Sequence, residues 1–276
     1  MTDRRPPATE GIQIGGMTVT AVIDSEVRLV PTQAYPTTSA ADWSRHAELL
    51  DDEGLLRLTL GGFVVRFHDR VILIDAGVGP EDRPGKTAKM PGGRMLDNLW
   101  ASGTAAEEIT DVVFTHLHLD HIGWGAVGDR IVFPNATYRC HEADWDHFTN
   151  GGTLSDPQKL AAMAPVMECW DSDTTLAPGL DVVAAPGHTP GSSIIVLSND
   201  TQRCVLLGDV VHCPAELVED EWETIADVDP DLARRTATSL AREYEGTDSA
   251  LVAAHFSDLR FGRLLVGERQ RKWVMV

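Results

Sequence analysis

A dense group of metal-binding side chains stands near the middle of the chain. Residues 115–121 follow a predicted buried strand and hold three histidines and one aspartate, namely His116, His118, Asp120 and His121. Neutral imidazoles and a carboxylate form the ligand set of zinc and similar borderline metals. A single histidine is usually an ordinary core or surface residue, but packing does not explain four such groups in this order. Because neighbouring side chains diverge, one ion cannot use every member, and the motif predicts two ions.

Three further polar residues follow predicted strands later in the chain. His188 lies in the Pro/Gly-rich turn 186–191, Asp209 follows a glycine, and His255 follows a pair of alanines. Each alone is weak evidence, because Asp209 could cap a helix and His188 could be an ordinary turn residue. Together they favour a metal or catalytic site, since such groups sit on loops that leave a rigid sheet.

The strands that must position these residues are predicted from alternating and β-branched segments. Strands are expected at 17–23, 62–67, 71–74, 111–114, 180–184, 193–197, 204–207 and 250–254, with turns at 68–70 and 198–201. The segment 80–93 is rich in Gly, Pro and Lys, and this composition predicts a mobile loop.

Helices are expected between the strands. Apolar spacing predicts one at 94–102, and Thr104 with Glu107 forms the capping signature of a short second one. Asp156 before a proline predicts a helix to about Cys169, and Asp229 before a proline begins another that stops at 246. Without repeats or linkers, residues 1–276 are interpreted as one α/β domain in which 1–16 form a flexible N-terminal arm.

Composition and charge limit the class of partner. The 276 residues include 23 Lys and Arg against 42 Asp and Glu, a net charge of −19. Such an acidic surface repels phosphate backbones and anionic headgroups, so we expect no nucleic-acid or membrane partner. No apolar run approaches the roughly 20 residues of a spanning helix, and no secretory signal is recognised. The four cysteines lack a CxxC pair and are interpreted as reduced thiols of a cytoplasmic protein.

Taken in order, the candidate ligands resemble the five-motif signature of the metallo-β-lactamase superfamily. The matching parts are the segment 73–77, the motif at 116–121, and then His188, Asp209 and His255. The resemblance covers roughly residues 17–256. It implies an αββα sandwich, in which two mixed β-sheets are flanked by helices and a binuclear metal site lies at one edge.

The resemblance also implies a role for each ligand. One metal takes His116, His118 and His188, the other takes Asp120, His121 and His255, and Asp209 bridges the two. Asp75 would hold a histidine ligand in its correct tautomer. The implied cofactors are two divalent metal ions, with Zn²⁺ as the first choice, and the implied assembly is a homodimer.

Single residues narrow the choice among the branches of the superfamily. The true β-lactamases do not use a bridging aspartate at the position of Asp209, and the flavin-linked diiron branch has a glutamate where His118 stands. Acyl-homoserine lactonases resemble the chain in their ligands but carry a tyrosine at the position of His212. A histidine there is similar to the Gly-Asp-x-x-His pattern of the organophosphate hydrolase and arylesterase branch. A contact of His212 with substrate and a purely structural role both stay open.

The resulting hypothesis is a binuclear metal-dependent hydrolase that acts on a small molecule. A metal-bridging hydroxide would attack a lactone, an aryl ester or a phosphotriester. Asp120 or a metal-bound water would pass a proton to the leaving group, and His212 is a second catalytic candidate. One alternative is a glyoxalase-type thioesterase, suggested by the basic residues Arg260, Arg263, Arg269, Arg271 and Lys272. The other is a mononuclear iron dioxygenase of the same fold. Candidate pocket walls, equally compatible with ordinary core, are Trp124, residues 90–92, Phe148 and Phe256.

Overall fold

Strands account for most of the regular structure in the computed structural model, which describes residues 11–268 and 270–276. In chain order they are β1 (Ile12–Ile14), β2 (Met17–Leu29), β3 (Leu56–Phe67), β4 (Arg70–Ile74), β5 (Arg83–Pro84), β6 (Lys89–Met90), β7 (Asp111–Val113), β8 (Ala126–Val127), β9 (Arg130–Ile131), β10 (Thr137–His141), β11 (Met167–Trp170), β12 (Thr174–Ala177), β13 (Leu180–Ala184), β14 (Ser193–Ser198), β15 (Arg203–Leu206), β16 (Ala250–Val252), β17 (Gly262–Leu265) and β18 (Lys272–Met275).

Helices connect or cover these strands. The α-helices are α1 (Pro31–Ala34), α2 (Ala40–Trp43), α3 (Met95–Ala101), α4 (Glu142–Thr149), α5 (Pro157–Met163) and α6 (Pro230–Tyr244). Short 3₁₀ helices lie at Ser44–Leu49, Ala106–Glu108, Ala164–Val166, Pro214–Leu217 and Ser257–Leu259. None of the helices in the described ranges is both long and apolar enough to cross a lipid bilayer.

The strands form two mixed sheets. The first has the order β1-β2-β3-β4-β7-β10-β11, with β4, β7, β10 and β11 parallel to one another. The second has the order β12-β13-β14-β15-β16-β17-β18, and β15 pairs in parallel with β16. Two small hairpins, β5-β6 and β8-β9, stand outside these sheets.

Both faces of the first sheet are apolar because both are covered. Successive side chains of a strand point to opposite faces. Val65 and Ile72 therefore enter the core between the sheets with Ile195 of the second sheet, whereas Val64 and Leu73 pack in a second core with residues of α3, α4 and α5. Since α6 contributes to the same core as the second sheet, the layers follow the sequence helix, sheet, sheet, helix, and the expected αββα sandwich is confirmed.

Some expected boundaries were wrong. Residues 12–14 of the predicted arm form β1 and pair with β2, while residues 1–10 lie outside the described residues. The helix expected up to Cys169 ends at Met163, because the chain turns there into β11, which pairs with β10. The cap of the short helix is shifted by one residue, since Glu108 and not Glu107 accepts a hydrogen bond from a backbone N–H, that of Ala105.

Candidate metal centre

The candidate ligands lie on loops that leave strands at one edge of the sandwich. The loop after β7 carries residues 115–121 next to the loop after β4, which carries Asp75, and β4 and β7 are parallel neighbours. Asp209 and His255 follow the parallel neighbours β15 and β16. His188 follows β13, which runs in the same direction as β15 because β14 is antiparallel to both. Parallel strands thus bring side chains that are far apart in sequence to one place.

Three histidines form the first group of candidate ligands. The Nε2 atoms of His116 and of His188 each lie 3.0 Å from Nδ1 of His118. All three rings are buried, with at most 5% of each residue exposed. Burial lowers the pKa of each imidazole, to about 3 for His188. The rings are therefore neutral, and their lone pairs are free to bind a cation.

Asp209 lies between this group and a second one. Its Oδ2 atom lies 3.4 Å from Nε2 of His188 and 3.0 Å from Nε2 of His255, while its Oδ1 atom lies 3.4 Å from Nε2 of His121. His255 in turn lies 3.6 Å from a carboxylate oxygen of Asp120. One carboxylate thus faces both groups, as a bridging ligand must.

Two divalent ions fit this arrangement. Four sets of three ligand atoms each lie within 4.8 Å of one another: His116, His118 and His188; His116, His121 and Asp209; Asp120, His121 and His255; His188, Asp209 and His212. Ligand bonds of about 2.05 Å at a tetrahedral angle separate ligand atoms by roughly 3.3 Å, close to the distances above. Among the described residues, Nε2 of His121 and Oδ1 of Asp209 are buried without a hydrogen-bond partner. Because buried polar atoms are almost always paired, these two atoms fit a site that binds a cation between them.

The side chains behind the ligands orient them. Nδ1 of His121 lies 2.9 Å from the carboxylate of Asp75, which also accepts a hydrogen bond from Thr115 beside His116. Nδ1 of His188 lies 2.9 Å from Asp227. These contacts leave each Nε2 lone pair directed at the site, which is what metal-bound histidines require. Asp75 therefore occupies the expected position behind a histidine, while Asp227 was not anticipated.

Two buried aspartates that the sequence analysis missed fix the loops. Asp144 of α4 accepts hydrogen bonds from the backbone N–H groups of Leu117 and Gly191, and so joins the loop after β7 to the loop after β13. Asp24 lies at a register shift between β2 and β3 and accepts hydrogen bonds from Trp124 and from three backbone N–H groups, at positions 78, 79 and 95. Neither resembles a ligand in sequence, because each acts on backbone atoms distant along the chain.

His212 lies at the site but is held differently from the other histidines. Its Nε2 atom is 3.4 Å from Oδ2 of Asp209, and its ring stacks on that of His255. Its backbone N–H donates a hydrogen bond to Glu216, which also accepts one from the hydroxyl of Tyr35. The negative charge of Asp209 raises the pKa of His212 against the effect of burial. This residue therefore offers a hydrogen-bond donor beside the candidate ligands.

A cleft of about 780 Å³, its open mouth included, leads to these groups. Its walls are mostly apolar and include Val27, Leu29, Tyr35, Leu58, Leu60, Met90, Leu119, Leu154 and Ile225, while His118, Asp120, Asp209, His212 and His255 lie at its base. At one side, Lys86 donates a hydrogen bond of 2.6 Å to the carbonyl oxygen of Ile225 and so joins two segments across the wall.

Most of the expected pocket walls were wrong. Met90 lines the cleft, but Trp124 is buried and bound to Asp24, and Phe148 packs edge-on against the ring of His118. Phe256 packs against Trp273 and lines a second cavity. Aromatic type alone does not distinguish core from cleft, and part of the wall comes from alternate residues of β2 and β3.

The basic residues near the end of the chain also lie elsewhere. Arg260, Arg271 and Lys272 line the second cavity, and Arg263 pairs with Asp248, while Arg269 is outside the described residues. In the described part of the chain, none of these side chains lines the cleft. The described members of this group therefore supply no anion-binding side chain to the candidate site.

Comparison with known proteins agrees with the geometry. Residues 62–255 match the family model of the metallo-beta-lactamase superfamily. The chain belongs to that superfamily. The mouse (Mus musculus) metallo-beta-lactamase domain-containing protein 1 is 30% identical over 210 residues, which are 74% of this chain and 66% of the relative. The chain matches between about half and two thirds of the length of its curated relatives.

Solved structures of superfamily members share the fold. AidC, described as a dizinc quorum-quenching lactonase in complex with the product N-hexnoyl-L-homoserine, superposes with a TM-score of 0.84 at 20% identity, over 97% of each chain. The hydrolase AbOPH of the beta lactamase superfamily gives a TM-score of 0.82 at 20% identity, over 98% of this chain and 97% of its own. The superfamily member described here therefore has the expected architecture over nearly its whole length.

Proposed function

We propose that this protein is a binuclear metal-dependent hydrolase of uncharged ester-type substrates, namely lactones, aryl esters or phosphotriesters. The observation that carries the proposal is the position of Asp209, whose carboxylate oxygens lie within 3.4 Å of histidines of both groups. Superfamily membership supports hydrolysis, and the dizinc lactonase and the hydrolase among the similar structures support the choice of metal and of bond.

Two divalent ions would supply an acidified water and a Lewis acid for the scissile group. One would be held by His116, His118 and His188, the other by Asp120, His121 and His255, and Asp209 would be shared by both. Side chains of the protein would transfer the proton, orient the substrate and exclude water. Asp120, whose side chain is 16% exposed at the base of the cleft, can carry a proton to the leaving oxygen. His212 can donate a hydrogen bond to the bound substrate. The apolar walls exclude water from the scissile group.

The cleft supports an uncharged substrate with an apolar part. Its walls come from the apolar side chains of β2 and β3 and from Met90, Leu119 and Ile225. The one lysine among its described lining residues, Lys86, donates its hydrogen bond to a backbone carbonyl. A thioester with several carboxylates would bury charge along the walls without a free cationic side chain among the described lining residues, which is costly. The placement of the basic residues in the second cavity therefore counts against the glyoxalase-type alternative.

A substrate panel on protein of defined metal content tests this proposal. We expect metal-dependent hydrolysis of at least one lactone, aryl ester or phosphotriester, abolished by a chelator and restored by Zn²⁺, Mn²⁺ or Co²⁺. Thioester and β-lactam substrates should react far more slowly. Metal-replete protein that hydrolyses none of the panel would refute a hydrolase, and oxygen consumption with a thiol substrate would favour the iron dioxygenase alternative.

The role of His212 is tested separately within the same panel. If His212 contacts substrate, His212→Ala should change the ratio of kcat/KM values between lactone and aryl ester by roughly tenfold or more, at unchanged metal content. Asp200→Ala, in an exposed turn, is the matched control. A lower Tm with unchanged substrate ratios would assign His212 a structural role, and loss of metal would make it a ligand of the group with His188 and Asp209.

A further inference from the structure

Two cysteines face each other at the edge of the first sheet. Cys140 of β10 and Cys169 of β11 are register partners in a parallel strand pair, and their sulfur atoms are 3.8 Å apart. Cys140 is completely buried, whereas Cys169 is exposed. The remaining two cysteines, Cys204 and Cys213, are buried. Only one sulfur of this pair is thus open to a soluble reagent.

The spacing of paired strands is compatible with a disulfide between these two residues. Neighbouring strands lie about 4.8 Å apart, within the range of Cα separations that disulfides span. The sulfurs need to approach from 3.8 Å to about 2.05 Å, and we expect a rotation of the exposed Cys169 side chain to bring them together. Such a rotation would leave β10, which lies in the interior of the sheet, in place.

We propose that Cys140 and Cys169 form an oxidation site, in which Cys169 is the peroxide-reactive thiol and Cys140 resolves it to an intramolecular disulfide. This proposal is independent of the proposed hydrolase function, because neither sulfur belongs to the metal centre. The hydrogen bond between the two thiols supports it by lowering the pKa of Cys169, although burial and the carboxylates of Glu142 and Asp146 oppose that shift. A thiolate is the form that attacks peroxides.

The chemistry balances with a hydroperoxide as the oxidant. The thiolate of Cys169 attacks one peroxide oxygen, the O–O bond breaks, and a sulfenic acid and one water (for hydrogen peroxide) are formed. Cys140 then attacks the sulfenic sulfur, so the S–S bond forms as the S–O bond breaks, and a second water leaves. Both thiols are oxidised, each losing its proton and one electron, and the peroxide is reduced by two electrons.

The bond would close a loop that holds part of the site together. Residues 140 and 169 are 29 positions apart, and the segment between them contains α4 and α5, including Asp144, which fixes the loops after β7 and β13. A cross-link restricts the unfolded chain more than the folded one, so the oxidised protein should unfold at a higher temperature, by roughly 5 °C. The buried resolving thiol also spares Cys169 from irreversible overoxidation.

Thiol counting and peptide mass spectrometry after hydrogen peroxide treatment test the proposal. We expect the four cysteines to retain two alkylatable thiols in denaturant, with one disulfide linking the peptides of Cys140 and Cys169, reversed by dithiothreitol. In Cys140→Ser, dimedone should label Cys169, and in Cys169→Ser no disulfide should form. Cys204→Ala, at a buried position away from the pair, should form the same disulfide as wild type.

Other outcomes would overturn the proposal. These are four intact thiols under conditions that oxidise free cysteine, a disulfide between two chains, or sulfinic acid at Cys169 in the wild-type protein. Circular dichroism of each variant ensures that a missing disulfide is not a consequence of misfolding. Should Cys140→Ser misfold, Cys140→Ala provides the same dimedone test without a buried hydroxyl.

Discussion

Asp209 is the side chain on which both groups of candidate ligands depend. It is fully buried among histidines, which keep the pKa of its carboxyl well below the ordinary value although burial acts in the opposite direction. A negative charge placed between two cations offsets their mutual repulsion, and this effect is strong where water is excluded. Removing this charge should therefore disturb both ions, whereas removing one histidine weakens one.

Replacement of Asp209 by asparagine isolates that charge. Asp209→Asn keeps the shape and one oxygen, so we expect loss of at least one metal ion and a fall in activity of roughly a hundredfold or more, with the fold retained. Elemental analysis, kinetics and circular dichroism beside the exposed control Asp200→Asn measure this. Full metal loading and full activity of Asp209→Asn would show that Asp209 is no bridge.

Asp227 provides a milder test of the first group. Asp227 is not one of the candidate ligands, but it lies 2.9 Å from Nδ1 of His188. It therefore determines which nitrogen of that ring carries the proton. We expect Asp227→Ala to weaken metal binding by roughly 10- to 100-fold, with activity recovered at high metal concentration. Metal titration of Asp227→Ala and of the exposed control Asp231→Ala checks this. Equal affinities of the two variants would contradict the positioning role.

The loops depend on elements that contain no ligand. The register shift in β2 places Asp24 beside the loops after β4 and β7. Its carboxylate accepts hydrogen bonds from three N–H donors of these loops and from the backbone N–H of Met95 at the start of α3. Gly93 has no room for a side chain, because a Cβ atom there would come within 1.9 Å of Asp24. A polar residue of one strand thus supports the shape of two loops that carry the site.

Loss of Asp24 should consequently reduce stability. Asp24→Ala leaves buried N–H groups without acceptors, and we expect the free energy of unfolding to fall by about 3 kcal/mol or more. Denaturant unfolding measures it, with Asp69→Ala in an exposed turn as the control. The free energy of unfolding of Asp24→Asn, which retains one acceptor oxygen, should lie between those of Asp24→Ala and Asp69→Ala. A change below about 0.5 kcal/mol in Asp24→Ala would contradict the inferred role.

At the scale of the whole molecule, metal binding should contribute to folding stability. The ligands come from both sheets of the sandwich, so ions bound to them would link the two sheets at that edge. Because ions bind the folded state selectively, their removal with a chelator should lower Tm by roughly 10 °C. Differential scanning calorimetry before chelation, after chelation and after metal readdition tests this. An unchanged Tm would mean that the ions contribute nothing to folding.

The expected homodimer and cytoplasmic location stay predictions.

The candidate ligands were recognisable in sequence because each follows a strand and carries a side chain with few other uses. The motif at 116–121, His188, Asp209 and His255 are all found together at the predicted edge, and the two-sheet architecture agrees with the predicted one. Local patterns determine the strands and the ligand types, which depend on neighbouring residues alone. The two-sheet architecture with its site at one edge was predicted from the resemblance to the superfamily.

Only the tertiary structure decided which other residues surround the ligands. Asp227 contacts His188 from 39 positions away, and Asp144 joins two loops through backbone atoms. The cleft walls come from β2 and β3, while the expected wall Trp124 is buried against Asp24. Such contacts depend on strand order and on the packing of distant segments. Local sequence patterns do not predict these contacts, because a buried aspartate or leucine has the same sequence pattern wherever the fold places it.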